Sequence, residues 1–150
     1  MKTMSTLDFE RFSTGQALPS LTKHVTVEQI RRYAEASGDR NPIHLDETFA
    51  RSAGLPGVIA HGMLTMAFAN QMVTDWLGDR SSLKRLQGRF AGMVLPGDDV
   101  TCSGNIASKN DETRRVVINL VVTNQRGERV LNKGVAEAEF PPQRSNTNAA

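Results

Sequence analysis

Residues 61–77, HGMLTMAFANQMVTDWL, place the tightest limit on what this chain can fold into. Apolar side chains at Met63, Leu64, Met66, Ala67, Phe68, Met72, Val73, Trp76 and Leu77 cover most of a helix circumference, which is the pattern of a helix buried on nearly all sides. Gly78 is its stop. Beyond it the period changes: residues 82–94, 99–109, 113–124 and 129–140 are β-branched-rich runs separated by PGDD, KNDE and NQRG. That is the spacing of antiparallel strands joined by hairpins and short loops, and VVINLVV at 116–122 is the strongest of them. A helix that needs cover, followed by consecutive strands, implies an α+β fold in which a curved antiparallel sheet wraps a long central helix.

Upstream, Thr26 precedes a helical apolar pattern at Val27, Ile30, Tyr33 and Ala34, with Gln29 three residues after it and Gly38 at the end. This reads as a capping box opening a helix over about 27–37. Leu21 to Val25 is a short edge strand, and Asp46 before ETFARSAG is a helix N-cap. Neither a repeat nor a composition shift divides the chain, so residues 1–140 are expected to form a single domain. The tail from Pro141, PPQRSNTNAA, is polar without apolar spacing and is expected to be disordered.

Composition removes several function classes. The formal net charge is only +2, with acids and bases mixed along the chain, so no nucleic-acid partner is implied. Cys102 is the sole cysteine, which excludes an internal disulfide and a cysteine metal set and suits a reducing compartment. It alternates within a strand pattern and reads as a small core residue. The N-terminus has no apolar signal segment, and no stretch is long enough for a membrane span, so the expected location is the cytoplasm. No metal spacing, phosphate-binding glycine fingerprint or nicotinamide site is visible, so no cofactor and no metal are expected. Lys84, Arg85 and Arg89 read as the solvated face of a strand.

Residues 37–45, SGDRNPIHL, are the candidate stretch for chemistry. Gly38 ends a helix, Asn41 is extended because Pro42 follows it, and Pro42 has a fixed φ, so the backbone from 38 to 44 has few conformations open to it. Such a loop can hold the Asp39 carboxylate and the His44 imidazole in register as an acid–base pair sharing one water. The second stretch, AHGMLT at 60–65, opens the long helix. Its first N–H groups lack intrahelical partners and favour negative charge, so the Gly62 amide is suited to a developing oxyanion. His61 reads as a cap or packing residue outside the chemistry.

The run YAEASGDRNPIHLDETFARSAGLPGVIAHGMLT resembles the MaoC-like (R)-specific enoyl-CoA hydratase and 3-hydroxyacyl-thioester dehydratase family, whose motif carries Asp, Asn-Pro-x-His and a later His-Gly-Met at these spacings. The likeness is dense over 33–66 and continues more loosely through GRFAGMVLPGDDV at 88–100. It implies the hotdog fold, in agreement with the order of elements. It also implies that Asp39 and His44 hold the catalytic water, that the Gly62 amide polarises the thioester carbonyl, and that Asn41 belongs to the substrate site. Asn70, nine residues after His61, stands where some hydratases carry a serine that bonds near the acid–base pair.

The expected reaction is reversible hydration of a trans-2-enoyl thioester, on coenzyme A or acyl carrier protein, to the (R)-3-hydroxyacyl thioester. Hydroxide adds at C3 and a proton at C2. In the first assignment His44 takes the water proton, while Asp39 orients the water and delivers a proton to C2; the reverse assignment stays open, because two such close groups titrate as a pair. A thioesterase on the same fold is the rival, but its carboxylate belongs near the central helix, which offers only Asp75 towards its far end. Open sheet edges invite pairing, so a homodimer is expected, with a heterodimer with a related hotdog subunit as the alternative.

Overall fold

The computed structural model describes residues 9–78 and 82–142. A 3-10 turn at Phe9–Arg11 is followed by β1 (Leu21–His24), α1 (Val27–Ser37), α2 (Pro42–Leu45), α3 (Glu47–Ser52), α4 (Gly62–Leu77), β2 (Leu83–Phe90), β3 (Asp99–Asn110), β4 (Arg115–Thr123) and β5 (Arg129–Glu139). The strands form one antiparallel sheet in the order β1-β3-β4-β5-β2. The chain enters at one edge and returns, after α4, at the other. Helix α4 packs against all five strands, which is the wrapped-helix arrangement expected from the sequence. The expected polar tail falls largely on 143–150, which lie outside the described residues.

Alternation builds the core. On β4, Val116, Ile118, Leu120 and Val122 face inward, and they meet Leu64, Phe68, Ala69, Met72 and Val73 of α4. Cys102 is wholly buried among them, and burial pushes its thiol up to about 11, the nearby Lys23 charge opposing this, so it is a core residue and not a nucleophile. The N-terminal segment closes one end of the core: Phe9, Phe12 and Leu18 are buried, and Phe12 packs on Trp76 and Phe140. The sequence pattern gave no signal for that segment, because its apolar residues follow neither period.

Three expectations need correction. Helix α4 is not buried on nearly all sides: Met63 is 55% exposed, and Ala67 and Asn70 continue the same open stripe at helical spacing. A five-stranded sheet wraps only part of the circumference, so the apolar residues facing away from it remain uncovered within this chain. The capping box of α1 is one-sided as well. Gln29 N–H donates to Thr26 Oγ1 at 3.1 Å, but the Gln29 side-chain oxygen is buried without a hydrogen-bond partner instead of returning to the cap. Strand β2 also ends at Phe90 and not near residue 94, since Ala60 N–H takes the Val94 carbonyl and draws that segment off the sheet.

Sheet curvature has a visible cause in one transverse row. Gly104, Leu120 and Gly134 are paired across β3, β4 and β5. A Cβ on Gly134 would lie 2.7 Å from the Leu120 carbonyl oxygen, and one on Gly104 would lie 2.9 Å from the Asn119 oxygen. Backbone cannot yield as a side-chain tip can, so the two glycines let the strands bend tightly over the helix. Gly134→Ala is therefore expected to destabilise the protein by roughly 1–3 kcal/mol, the usual range for overpacking. Thermal and urea unfolding check this; a variant as stable as the parent would remove the row's role in bending the sheet.

Candidate active site

The site is assembled where the α1–α2 loop meets the segment leading into α4. Gly38, at φ +79°, ends α1 in the left-handed region that favours glycine, and its N–H bonds the Ala34 carbonyl. The chain then folds on itself through short side-chain bonds. Asp39 N–H donates to Ser37 Oγ at 3.1 Å, Asn41 N–H to Asp39 Oδ1 at 3.2 Å, and Ile43 N–H to Asn41 Oδ1 at 3.2 Å. Asn41 is thus the N-cap of α2, with Pro42 in the first turn. Asp46 caps α3 in turn, accepting from Phe49 N–H at 3.0 Å, as expected.

The segment 57–61 is stitched to this loop on one side and to the β2–β3 connection on the other. Ile59 N–H bonds the Ile43 carbonyl at 3.1 Å, while Ala60 N–H bonds the Val94 carbonyl at 2.8 Å. Val58 N–H donates to Glu47 Oε2 at 3.0 Å, and this bond, helped by Arg51, holds the Glu47 carboxyl below its ordinary range. Gly57 admits that carboxylate, since a Cβ there would lie 2.7 Å from Glu47 Oε1.

His44 is 8% exposed, and its Nδ1 lies 2.7 Å from the Ile59 carbonyl oxygen. A carbonyl only accepts, so Nδ1 carries the hydrogen and the neutral ring presents a bare Nε2. His61, 2% exposed, lies with its Nε2 2.9 Å from the Asp39 main-chain oxygen. The two imidazoles stack at 3.7 Å between centroids and 24° between planes. Asp39, His44 and His61 each offer one atom within 4.8 Å of the other two. Asp39 itself is exposed, so the cluster has a wet side and a dry side.

Such a set is close enough to share a metal ion, yet the lone pairs of stacked rings run side by side instead of converging, so the rings would have to splay to hold one. What the arrangement offers as it stands is an exposed carboxylate close to a buried imidazole, two groups able to accept and give protons. The His61 side chain makes no cap bond to α4; Leu64 N–H bonds the His61 carbonyl at 3.0 Å, and the Gly62 amide has no hydrogen-bond partner among the described residues. The Phe90 ring lies against Gly62, where a Cβ would meet it at 3.1 Å, and Phe90 is half exposed. Asn70 sits on the open stripe of α4, about 13 Å along the axis from His61 at 1.5 Å per residue.

The structure therefore brings Asp39, His44 and the Gly62 amide to one region and uses Asn41 to shape the loop. Sequence reasoning missed two neighbours. The signal for His61 was its place beside Gly62, outweighed by the commoner use of such a residue as a cap; Phe90 gave none, since nothing local relates the end of β2 to the start of α4.

Residues 11–126 match the family model described as the MaoC like domain. The chain is 36% identical over 118 residues to fatty acid synthase subunit beta of Gibberella zeae, covering 77% of this chain and 6% of that protein. The Schizosaccharomyces pombe subunit is 35% identical over 113 residues, 73% and 5% of the two chains. The chain thus spans a small part of the curated relatives it matches. Among solved structures, a MaoC-like dehydratase superposes with TM-score 0.85 at 31% identity, over 91% of this chain and 43% of the other. The R-hydratase PhaJ1 from Pseudomonas aeruginosa gives 0.80 at 29% identity, over 90% and 86%. With the family model spanning most of the described residues, and a loop and helix start arranged as above, the chain belongs to the MaoC-like dehydratase family.

Proposed function

We propose that the chain is a hydro-lyase that reversibly hydrates trans-2-enoyl thioesters to (R)-3-hydroxyacyl thioesters. The observation that carries this reading is the meeting of Asp39 and His44, with atoms within 4.8 Å, next to the open start of α4. His44, with Nδ1–H given to the Ile59 carbonyl, has Nε2 free to take a proton from water. Asp39 orients that water, receives the proton that His44 took from it and delivers that proton to C2, so neither group keeps a charge it did not start with. The thioester carbonyl docks at the Gly62 amide, where negative charge that grows on oxygen as hydroxide adds at C3 is stabilised by the helix start. The oxygen at C3 and the proton at C2 both derive from water, so the step balances without a cofactor.

The family match and the likeness to an R-hydratase support this class of reaction, and the fatty acid synthase relatives support a place in fatty acid metabolism. Asn41 acts on substrate through the loop it caps, and Asn70 offers a donor and an acceptor on the open stripe to the chain that bears the thioester, coenzyme A or acyl carrier protein. The thioesterase alternative is disfavoured by position, since Asp75 is exposed near the far end of α4. A dimer, of this chain with itself or with a related hotdog subunit, would cover the open stripe and the exposed Phe90 and Met93. A buried free thiol suits the cytoplasm, and among the described residues no helix is long and apolar enough to cross a membrane.

Asp39→Asn and His44→Ala are each expected to lower kcat on crotonyl-CoA by roughly 10²–10⁴-fold with the fold intact. The double variant should cost little more than the worse single one, because the two groups act on one water. More than about a tenth of parental activity in either single variant would sink the chemistry, a loss below the range for a general acid–base group. The product is expected to be the (R)-3-hydroxy thioester. Chiral chromatography of the released acid decides this, and a mainly (S) product would mean that substrate lies across the site in the opposite sense.

A further inference from the structure

His61 has features that its place at the head of α4 does not require. Its side chain makes no cap bond, although it occupies the cap position. Its Nε2 reaches instead to the main-chain oxygen of Asp39, 2.9 Å away and 22 residues earlier. One face of its ring covers His44 at 3.7 Å, and Tyr33 of α1 packs edge-on against it at 4.9 Å. Since the Asp39 carbonyl only accepts, Nε2 carries the hydrogen, and in the neutral ring the lone pair is at Nδ1. That atom is buried without a hydrogen-bond partner. An apolar residue would fill the same space without leaving a polar atom unpaired, so the imidazole is kept at a cost that packing alone does not explain.

The two contacts go to the two groups of the proposed chemistry and to nothing else that reacts. We infer that His61 is a positioning residue for the hydration: its Nε2–H holds the Asp39 main chain while its ring face holds the plane of His44. The inference rests on the function proposed above. His61 need not touch the water or the thioester. Asp39 is exposed at the head of the short α1–α2 loop, and its bonds to Ser37 and Asn41 stay within that loop. The His61 bond ties this end of it to the segment before α4, which sets where the carboxylate stands relative to His44. The anchor is a bond to backbone, so it fixes where the residue stands and leaves the carboxylate itself free to exchange protons. The stack fixes the second coordinate, the direction in which His44 Nε2 points.

Because the two contacts use different parts of the ring, different substitutions separate them. His61→Phe keeps a ring face and loses the donor, His61→Gln keeps a donor and loses the face, and His61→Ala loses both. Each is measured for kcat and KM on crotonyl-CoA and for thermal unfolding, in the parent and in a His44→Ala background. The expected result is a fall in kcat of about a hundredfold for His61→Ala, the scale for a reacting group misplaced by about 1 Å. KM should stay within about threefold, and Phe and Gln should each recover part of the loss. Once His44 is gone, removing His61 should change the residual rate by less than about threefold, since one of the groups it positions is absent.

Parental kcat in both the Phe and the Gln variants overturns the inference, and these two carry the test if the Ala variant does not fold. An equal loss in both backgrounds also overturns it, because it would mark a merely structural role. His44→Ala alone separates the two levels of the account. If that variant is as active as the parent, the proposed reaction chemistry fails and the positioning role falls with it. If His44→Ala is inactive while the His61 variants are not, only the positioning role fails.

Discussion

The hydrogen bond from His44 Nδ1–H to the Ile59 carbonyl joins the two halves of the site, and most of what surrounds it serves to hold its two ends. At one end is a loop of few conformations, set by Gly38, the Asn41 cap and Pro42. At the other is an extended segment whose position is fixed by Glu47, Ile43 and Val94. The bond does chemical work as well as structural work. It decides which nitrogen of His44 carries the hydrogen, and so leaves a proton acceptor on the ring's other side.

The wrapped helix gives the second half of this arrangement its rigidity. Buried along one side by inward residues of all five strands, α4 has little freedom to turn or slide, so its first turn presents Gly62 at a fixed place. The glycine row across β3, β4 and β5 lets the sheet curve enough to supply that cover. The opposite side of α4 is apolar and open at Met63 and Ala67. One chain thus leaves uncovered a helix whose composition asks for cover all round, and the open side runs from the site towards Asn70.

What could be read from the sequence follows from the range of the forces involved. Helix α1 and strands β3 to β5 were legible because caps, turns and periodicity are local, and α1 was placed with its bounds intact. Asp39, His44 and Gly62 could be named as candidates because each sits in a short stretch whose residue types limit the backbone. The lining of the site was not legible in that way. His61 reaches the Asp39 carbonyl across 22 residues, and Phe90 meets Gly62 only after the chain has passed through all of α4 and β2. The expectation about α4 failed for a related reason: periodicity says which residues avoid water, but not whether the same chain supplies their cover.

The central claim is that one water is held by Asp39 and His44 on one side of the substrate, while the carbonyl is held by the helix start. Oxygen at C3 and hydrogen at C2 must then arrive on the same face. Hydrating crotonyl-CoA in deuterated water and reading the coupling between the C2 and C3 protons of the product by NMR tests this most directly. The account predicts syn addition with one deuteron at C2. Anti addition would mean that water and proton come from opposite sides, and would contradict a single shared water between Asp39 and His44.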